Sequence, residues 1–250
     1  MKISVVTVAW NAAPTIGHTI DSVLGQTHPD IEHLVIDGAS TDRTAEIVRS
    51  YEDPRIRLVS EPDRGLYDAM NKGLRLFAGD AVGFLNADDR FAAPDTLAQI
   101  AAALATNDAV LGNLDFVADL TGGQVTRRWR GTPFRRGAFR RGWMPAHPTF
   151  YIRRALAERT GAFDTGYRIA ADYDFMLRAL ELGPEAPRVA FLDRVLVHMM
   201  AGGASTSGLG AYLRGNLESL RARQRWLGAG AVDLALVAKP LGKLGQFARR

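Results

Sequence analysis

Apolar positions in the first hundred residues follow two rhythms. The continuous run Ile3 to Ala9 suits a strand covered on both faces of a parallel sheet, Ala81 to Leu85 reads as a buried strand, and Ile31 to Ile36 and Ile56 to Val59 as two more strands. Between them, Ile16, Ile20, Val23 and Leu24, then Ile47 and Val48, then Leu66, Met70, Leu74 and Phe77 recur at helical spacing. Pro14 suits the first turn of the first helix, Gly25 and Pro29 end it, and Ser40 or Thr41 would admit the second. Strands alternating with helices of this length imply βαβ crossovers and an α/β fold with a parallel sheet.

Beyond the helix expected from Pro94 to Leu104, striped by Leu97, Ile100 and Leu104, the alternation changes. Ala109 to Val117 and Gln124 to Trp129 flank Thr121, Gly122 and Gly123 and read as a β-hairpin. Arg127 to Arg141 holds seven arginines among Trp129, Phe134 and Phe139 without a period. It reads either as a solvated loop or as a basic flap over an anionic ligand. Thr149 to Ile152 suits a strand and Ala155 to Thr160 a short helix. Asp172 to Leu182 suits a longer helix with Phe175, Met176, Ala179 and Leu182 inward, and Val189 to Val197 a last strand closing at His198. A glycine-rich loop from Met200 to Gly208 precedes two helical segments, Tyr212 to Trp226 and Ala231 to Ala248.

Composition narrows the class. With 250 residues, 47% of them hydrophobic, the chain can bury the core of one large domain with a small appendage. Zero cysteines exclude a disulfide framework and thiolate metal sites. A net charge of +4 fits anionic small ligands or an anionic membrane surface, and no nucleic-acid partner is expected. The chain enters a strand at once and meets Asn11 and Pro14 too early for a signal peptide, and no run nears the roughly 18 apolar residues of a spanning helix. The expectation is a cytoplasmic protein. Its basic tail has two accounts, a helix lying on the anionic inner face of the membrane or one packed on the domain with a solvated basic face.

The loops after the expected strands carry the candidate chemistry. Trp10 to Ala13, Asp37 to Asp42 and Asn86 to Asp89 should open on one edge of the sheet, where ligands of such sheets collect. Asp88 and Asp89 could hold a divalent cation, with water and ligand phosphates completing its shell, or could merely form a turn or helix cap. Asp37 could accept from a ring N–H or a ribose hydroxyl, or could shape an Asx turn. Neither G-x-G-x-x-G nor G-x-x-x-x-G-K-[ST] occurs, so a diphosphate would need another counter-charge, which a metal supplies.

Read in order, ISVVTVAWNAAPTIGHTIDSVLGQTHPDIEHLVIDGASTDRT, DRGLYDAMNKGL, FLNADD, HPTFYIRR, ADYDFMLRA and the GGAS loop resemble family 2 glycosyltransferases of GT-A type, especially bacterial members building surface polysaccharides. The resemblance implies a mostly parallel Rossmann-like sheet in a catalytic domain over 1–208, followed by a basic helical extension over 209–250. It implies inverting transfer of a sugar, of hexosyltransferase type, from a nucleotide diphosphate donor to a hydroxyl of a glycan or lipid-linked acceptor, with Mn2+ or Mg2+ as cofactor. Donor contacts fall by motif on Val8, Trp10, Asn11, Asp37, Asp63, Arg64, Asn71, Asn86, Ala87 and Asp88, and metal contacts on Asp88, Asp89 and His198. Asp172 stands where the family has its general base, although an acid there could also only cap a helix, the role expected of Asp174. His147 is expected to be structural. A non-catalytic sugar-nucleotide sensor or assembly subunit is the alternative.

Overall fold

The computed structural model describes residues 1–121, 124–200 and 209–228. The glycine-rich loop after Met200, the boundary at residue 208 and the second tail segment from Ala231 lie outside them.

Strands β1 (Ile3–Ala9), β2 (Ile31–Asp37), β3 (Ile56–Ser60) and β4 (Ala81–Phe84) pair in parallel in the order β3-β2-β1-β4. Every position of β1, β2 and β4 is buried, which explains why these segments show no polar alternation. Helices α1 (Ile16–Leu24), α2 (Thr44–Arg49) and α3 (Leu66–Leu76) make the crossovers. Two expectations fail here. Leu66 is exposed at the first position of α3, whose buried face starts with Tyr67, Ala69 and Met70. Helix α2 begins at Thr44, because Asp42 accepts the Thr44 N–H (2.9 Å) while Ser40 and Thr41 bond to Asp37 and Asn11.

The second half completes the sheet. After the three-residue β5 (Asp89–Phe91) comes α4 (Thr96–Leu104), with Leu97, Ile100 and Leu104 fully buried. Strand β6 (Ala109–Val117) returns in the expected hairpin as β7 (Val125–Trp129). Strand β8 (Tyr151–Arg153) lies antiparallel between β4 and β6; α5 (Arg154–Thr160) and α6 (Ala171–Glu181) follow it, then β9 (Val189–Met200), parallel to β6. Six strands thus run one way and β5, β7 and β8 the other. Thr149 is not in the strand expected for it: His147–Thr149 forms a 3-10 turn, with Thr149 Oγ1 donating to the Ala146 carbonyl (2.8 Å). Strand β9 continues through His198 to Met200, since its end pairs with β5.

Helix α7 (Leu209–Leu227) packs on α6. Arg223 is buried and donates to the Tyr173 hydroxyl (3.0 Å), and Trp226 Nε1 donates to Asp174 Oδ1 (2.7 Å). Glu218 accepts the N–H groups of Arg168, Ile169 and Ala170 at 3.2, 2.8 and 2.9 Å. The described part of the tail is therefore packed on the domain, with Arg214, Arg221 and Arg225 exposed. Among the described residues no helix is long and apolar enough to cross a membrane.

Candidate active site

Because β1 to β4 run in parallel, the loops leaving their C-terminal ends open on one edge. Asn11, with φ 51°, takes the left-handed conformation that asparagine tolerates. Its Oδ1 accepts the N–H of Thr41 (2.9 Å), and its own N–H donates to Ser40 Oγ (2.8 Å). The Ala13 N–H donates to Asp42 Oδ2 (3.0 Å), so the first loop is stitched to the second. Gly38 joins the second to the third: a Cβ there would stand 2.5 Å from Asp63 Oδ2 and 3.5 Å from Trp10 Cδ1. Asp37 lies fully buried beneath them, accepting from Ser40 Oγ (2.5 Å), the Ser40 N–H (3.2 Å) and Ser60 Oγ (2.6 Å). Val8 is buried, whereas Trp10 is 70% exposed at the rim. Arg64 is exposed and pairs with Asp68 (3.1 Å), while Asp63 Oδ1 accepts the Gly65 N–H (2.8 Å). Asn71 departs from its expected donor contact. Its Nδ2 donates to the Phe163 carbonyl (2.9 Å) and its Oδ1 accepts the Phe163 N–H (2.7 Å), so both ends of the amide clip α3 to the segment before α6.

The acidic corner follows β4. Asn86 Nδ2 donates to Asp89 Oδ2 (3.0 Å), and Thr19 of α1 donates to the Asp89 carbonyl (2.7 Å). Ala87 and Asp89 are buried and Asp88 half-buried. Burial, then the charge of Asp88, raises the Asp89 carboxyl well above the usual carboxylate range, and burial raises Asp88. His198 stands on β9 opposite Arg90 of β5 and level with Asp115 of β6. Burial and then the Arg90 charge lower its pKa, against a smaller upward pull from Asp115.

Among the described residues no three or more His, Asp or Glu side chains are grouped to hold a metal, so Asp88, Asp89 and His198 do not form the expected common ligand set. Strand pairing sets His198 against the Arg90 cation instead. Asp88 and Asp89 fit the other arrangement, in which one or two carboxylates hold Mg2+ or Mn2+ and ligand phosphates and waters complete the shell. Asp89 Oδ1 is buried without a partner among the described residues, the kind of orphaned lone pair that a cation or its water satisfies.

Asp172 lies half-buried in the first turn of α6, and its Oδ1 accepts the Tyr173 N–H (2.7 Å). Tyr67, which donates to the Ile169 carbonyl (2.6 Å), has its pKa pushed up by burial and secondly by the charge of Asp172. Tyr67 lies in the first turn of α3, after the loop of Asp63 and Arg64, so its bond to Ile169 ties the segment just ahead of Asp172 to that turn. Asp174 is buried and bonded to Arg178 Nε (2.8 Å) and Trp226 Nε1, which is packing rather than chemistry. His147 stacks on Phe84 at 5.6 Å and meets Phe163 edge-on at 5.9 Å, and burial lowers its pKa to about 4, so it is a neutral packing residue.

Ser60, Thr19 and Glu218 support this site without having been expected there. Thr19 had a signal: it sits between Ile16 and Ile20 on the apolar face of α1, where an unexplained polar residue marks a bonded one. Ser60 and Glu218 carry no comparable mark in the sequence.

Residues 4–169 match the family model described as Glycosyl transferase family 2. An uncharacterized glycosyltransferase of Mycobacterium tuberculosis is 36% identical over 180 residues, 71% of this chain and 68% of that protein. A PGL/p-HBAD biosynthesis glycosyltransferase of the same species is 33% identical over 186 residues, 70% of this chain and 68% of its own length. A solved structure of the mannosyltransferase PcManGT from Pyrobaculum calidifontis, in complex with GDP-Man and Mn2+, is similar in fold, with a TM-score of 0.66 at 24% identity over 95% of this chain and 68% of that one.

Proposed function

Since this chain belongs to glycosyl transferase family 2 and has the GT-A fold, we propose that it transfers a sugar, with inversion, from a nucleotide diphosphate donor to an acceptor hydroxyl. What supports this reading is the joining of the loops after β1, β2 and β3 on one sheet edge, with the acidic corner after the neighbouring β4 and the segment just ahead of Asp172 tied to α3 through Tyr67. The donor's base would lie over the loops of Trp10, Asn11 and Gly38, with Asp37 shaping that floor, and its diphosphate would lie toward Asn86 and Asp88. A divalent cation held at Asp88, with Asp89 behind it, would neutralise charge gathering on the departing diphosphate.

Asp172 accepts the acceptor's hydroxyl proton as that oxygen bonds the anomeric carbon. The bond from that carbon to the diphosphate breaks on the opposite face, which inverts the configuration. The Asp174–Arg178–Trp226 contacts fix the helix that carries this carboxylate. Glycolipid or cell-surface polysaccharide synthesis is the setting we propose, since one of the relatives acts in PGL/p-HBAD biosynthesis. Asp172→Asn should lower kcat by about 10²- to 10⁴-fold while donor affinity stays within a few-fold, as read by steady-state kinetics and calorimetry. A variant that keeps wild-type turnover removes the base assignment. Donor binding by the wild type without transfer or hydrolysis would instead favour a sensor.

A further inference from the structure

The geometry points to the arginine-rich segment between β7 and β8 as a binding site for a phosphoryl group carried by the acceptor. This rests on the transferase reading above and adds the acceptor's chemical class to it. The segment encloses an open concavity of about 820 Å³ lined by Thr132, Arg135, Arg136, Arg140, Arg141 and Trp143. All four arginines are exposed, and among the described residues none of them pairs with a carboxylate. Arg136 gives one bond to the Gly183 carbonyl (3.1 Å).

The backbone carrying these charges is firmly held. Phe139 is fully buried, edge-on to Trp143 (5.1 Å) and Tyr173 (5.3 Å), and its carbonyl accepts from the Tyr173 hydroxyl (3.3 Å). Trp143 Nε1 donates to Thr132 Oγ1 (2.9 Å). Glu181 is the acid beneath the concavity, but it is buried and accepts the N–H groups of Gly137 (2.8 Å) and Phe139 (3.2 Å). Its oxygens are thus turned to the main chain and away from the guanidinium groups. Four guanidinium groups carried by a held main chain around one hollow repel one another, and a phosphoryl dianion relieves that repulsion while matching their planar, bidentate geometry.

Position assigns the group to the acceptor. Tyr173 and Glu181, which hold the segment, both lie on α6, and an 11-residue helix is about 16 Å long. The hollow therefore flanks the helix whose first turn carries Asp172, whereas the donor's diphosphate has its own place at the acidic corner after β4. The phosphoryl group can come from a lipid headgroup or from a water-soluble phosphorylated glycan.

The test uses the full chain and the variant R135Q/R136Q/R140Q/R141Q, with the pairs R135Q/R136Q and R140Q/R141Q in reserve should the quadruple variant melt early. Binding of glycerol 1-phosphate is followed by calorimetry, and binding to vesicles containing phosphatidic acid against pure phosphatidylcholine vesicles by sedimentation. The wild type should bind at least one phosphoryl probe, and the quadruple variant should bind it about tenfold more weakly at an unchanged melting temperature, each pair losing part. A drop with vesicles alone identifies a lipid source, and a drop with glycerol 1-phosphate identifies a soluble one. Equal binding of both probes by wild type and variants, or no binding by the wild type, overturns the proposal. The basic tail is intact in every variant, so vesicle binding that it causes survives all the substitutions. Binding of UDP-GlcNAc and GDP-mannose is measured alongside: its absence from wild type and variants would sink the transferase reading and leave the phosphoryl result legible.

Discussion

Gly38 shows how little room the donor side leaves. Its missing side chain is the space in which the Asp63 carboxylate and the Trp10 ring approach each other, and Asp63 is itself held by the Gly65 N–H. Gly38→Ala forces the carboxylate aside, and because the clash falls on a side-chain end rather than on main chain, the fold should tolerate it. The expected outcome is a donor KM raised about tenfold, equivalent to about 1.4 kcal/mol, with kcat and melting temperature nearly unchanged. Steady-state kinetics against donor concentration read this directly; a kcat that falls as far as kcat/KM would mean that Gly38 acts on the chemistry instead.

At the scale of elements, the position of the proposed base depends on a helix far away in sequence. Glu218 of α7 gathers the N–H groups of Arg168, Ile169 and Ala170, the residues just ahead of α6. Glu218→Gln leaves one acceptor oxygen and no charge for three donors, so the protein should lose about 2 kcal/mol by urea unfolding. Since Asp172 follows two residues later, kcat should fall while donor KM stays near its wild-type value. Elements of this kind divide what the sequence reveals from what it hides. Strands β1, β2 and β4 were legible because full burial leaves a mostly apolar run, and helices α1 and α4 because an apolar stripe writes a period into the chain. Strand β5, by contrast, pairs with β9 alone among the described residues, and the bonds of Asn71 to the backbone of Phe163, 92 positions away, leave no mark in the sequence. The loops of Asp37, Asp88 and Asp172 could be placed from strand and helix ends alone. Which of their atoms were already engaged by Ser40, Ser60 or Asn86 could not, since those bonds depend on how loops from different strands meet.

For the whole molecule, acid should act through two buried histidines. Burial lowers His33 to about 3 and His147 to about 4, so both remain neutral in the fold while an unfolded histidine takes a proton near 6.5. The stability from keeping them neutral is fully present above about pH 6.5 and is lost as pH falls toward those values, by about 1.4 kcal/mol per unit for each. Asp88 and Asp89 pull the other way, because carboxyls raised by the fold favour acid. A variant separates the two: between pH 6.5 and 4.5 the unfolding free energy of His147→Asn should fall less steeply than that of wild type by about 1 kcal/mol per unit on average. Parallel slopes would show that His147 already carries its proton in the native state.

The closing of the sheet by β9 has a consequence for how the molecule is made. Among the described residues Asp89 and its short strand pair with residues 197–199 alone, so during translation they leave the ribosome long before that partner exists. At roughly 5 to 20 residues per second the nascent chain spends on the order of 5 to 20 seconds with that edge open. Only once β9 has been synthesised can the acidic corner settle, and until then a chaperone meets a half-built sheet rather than an enzyme.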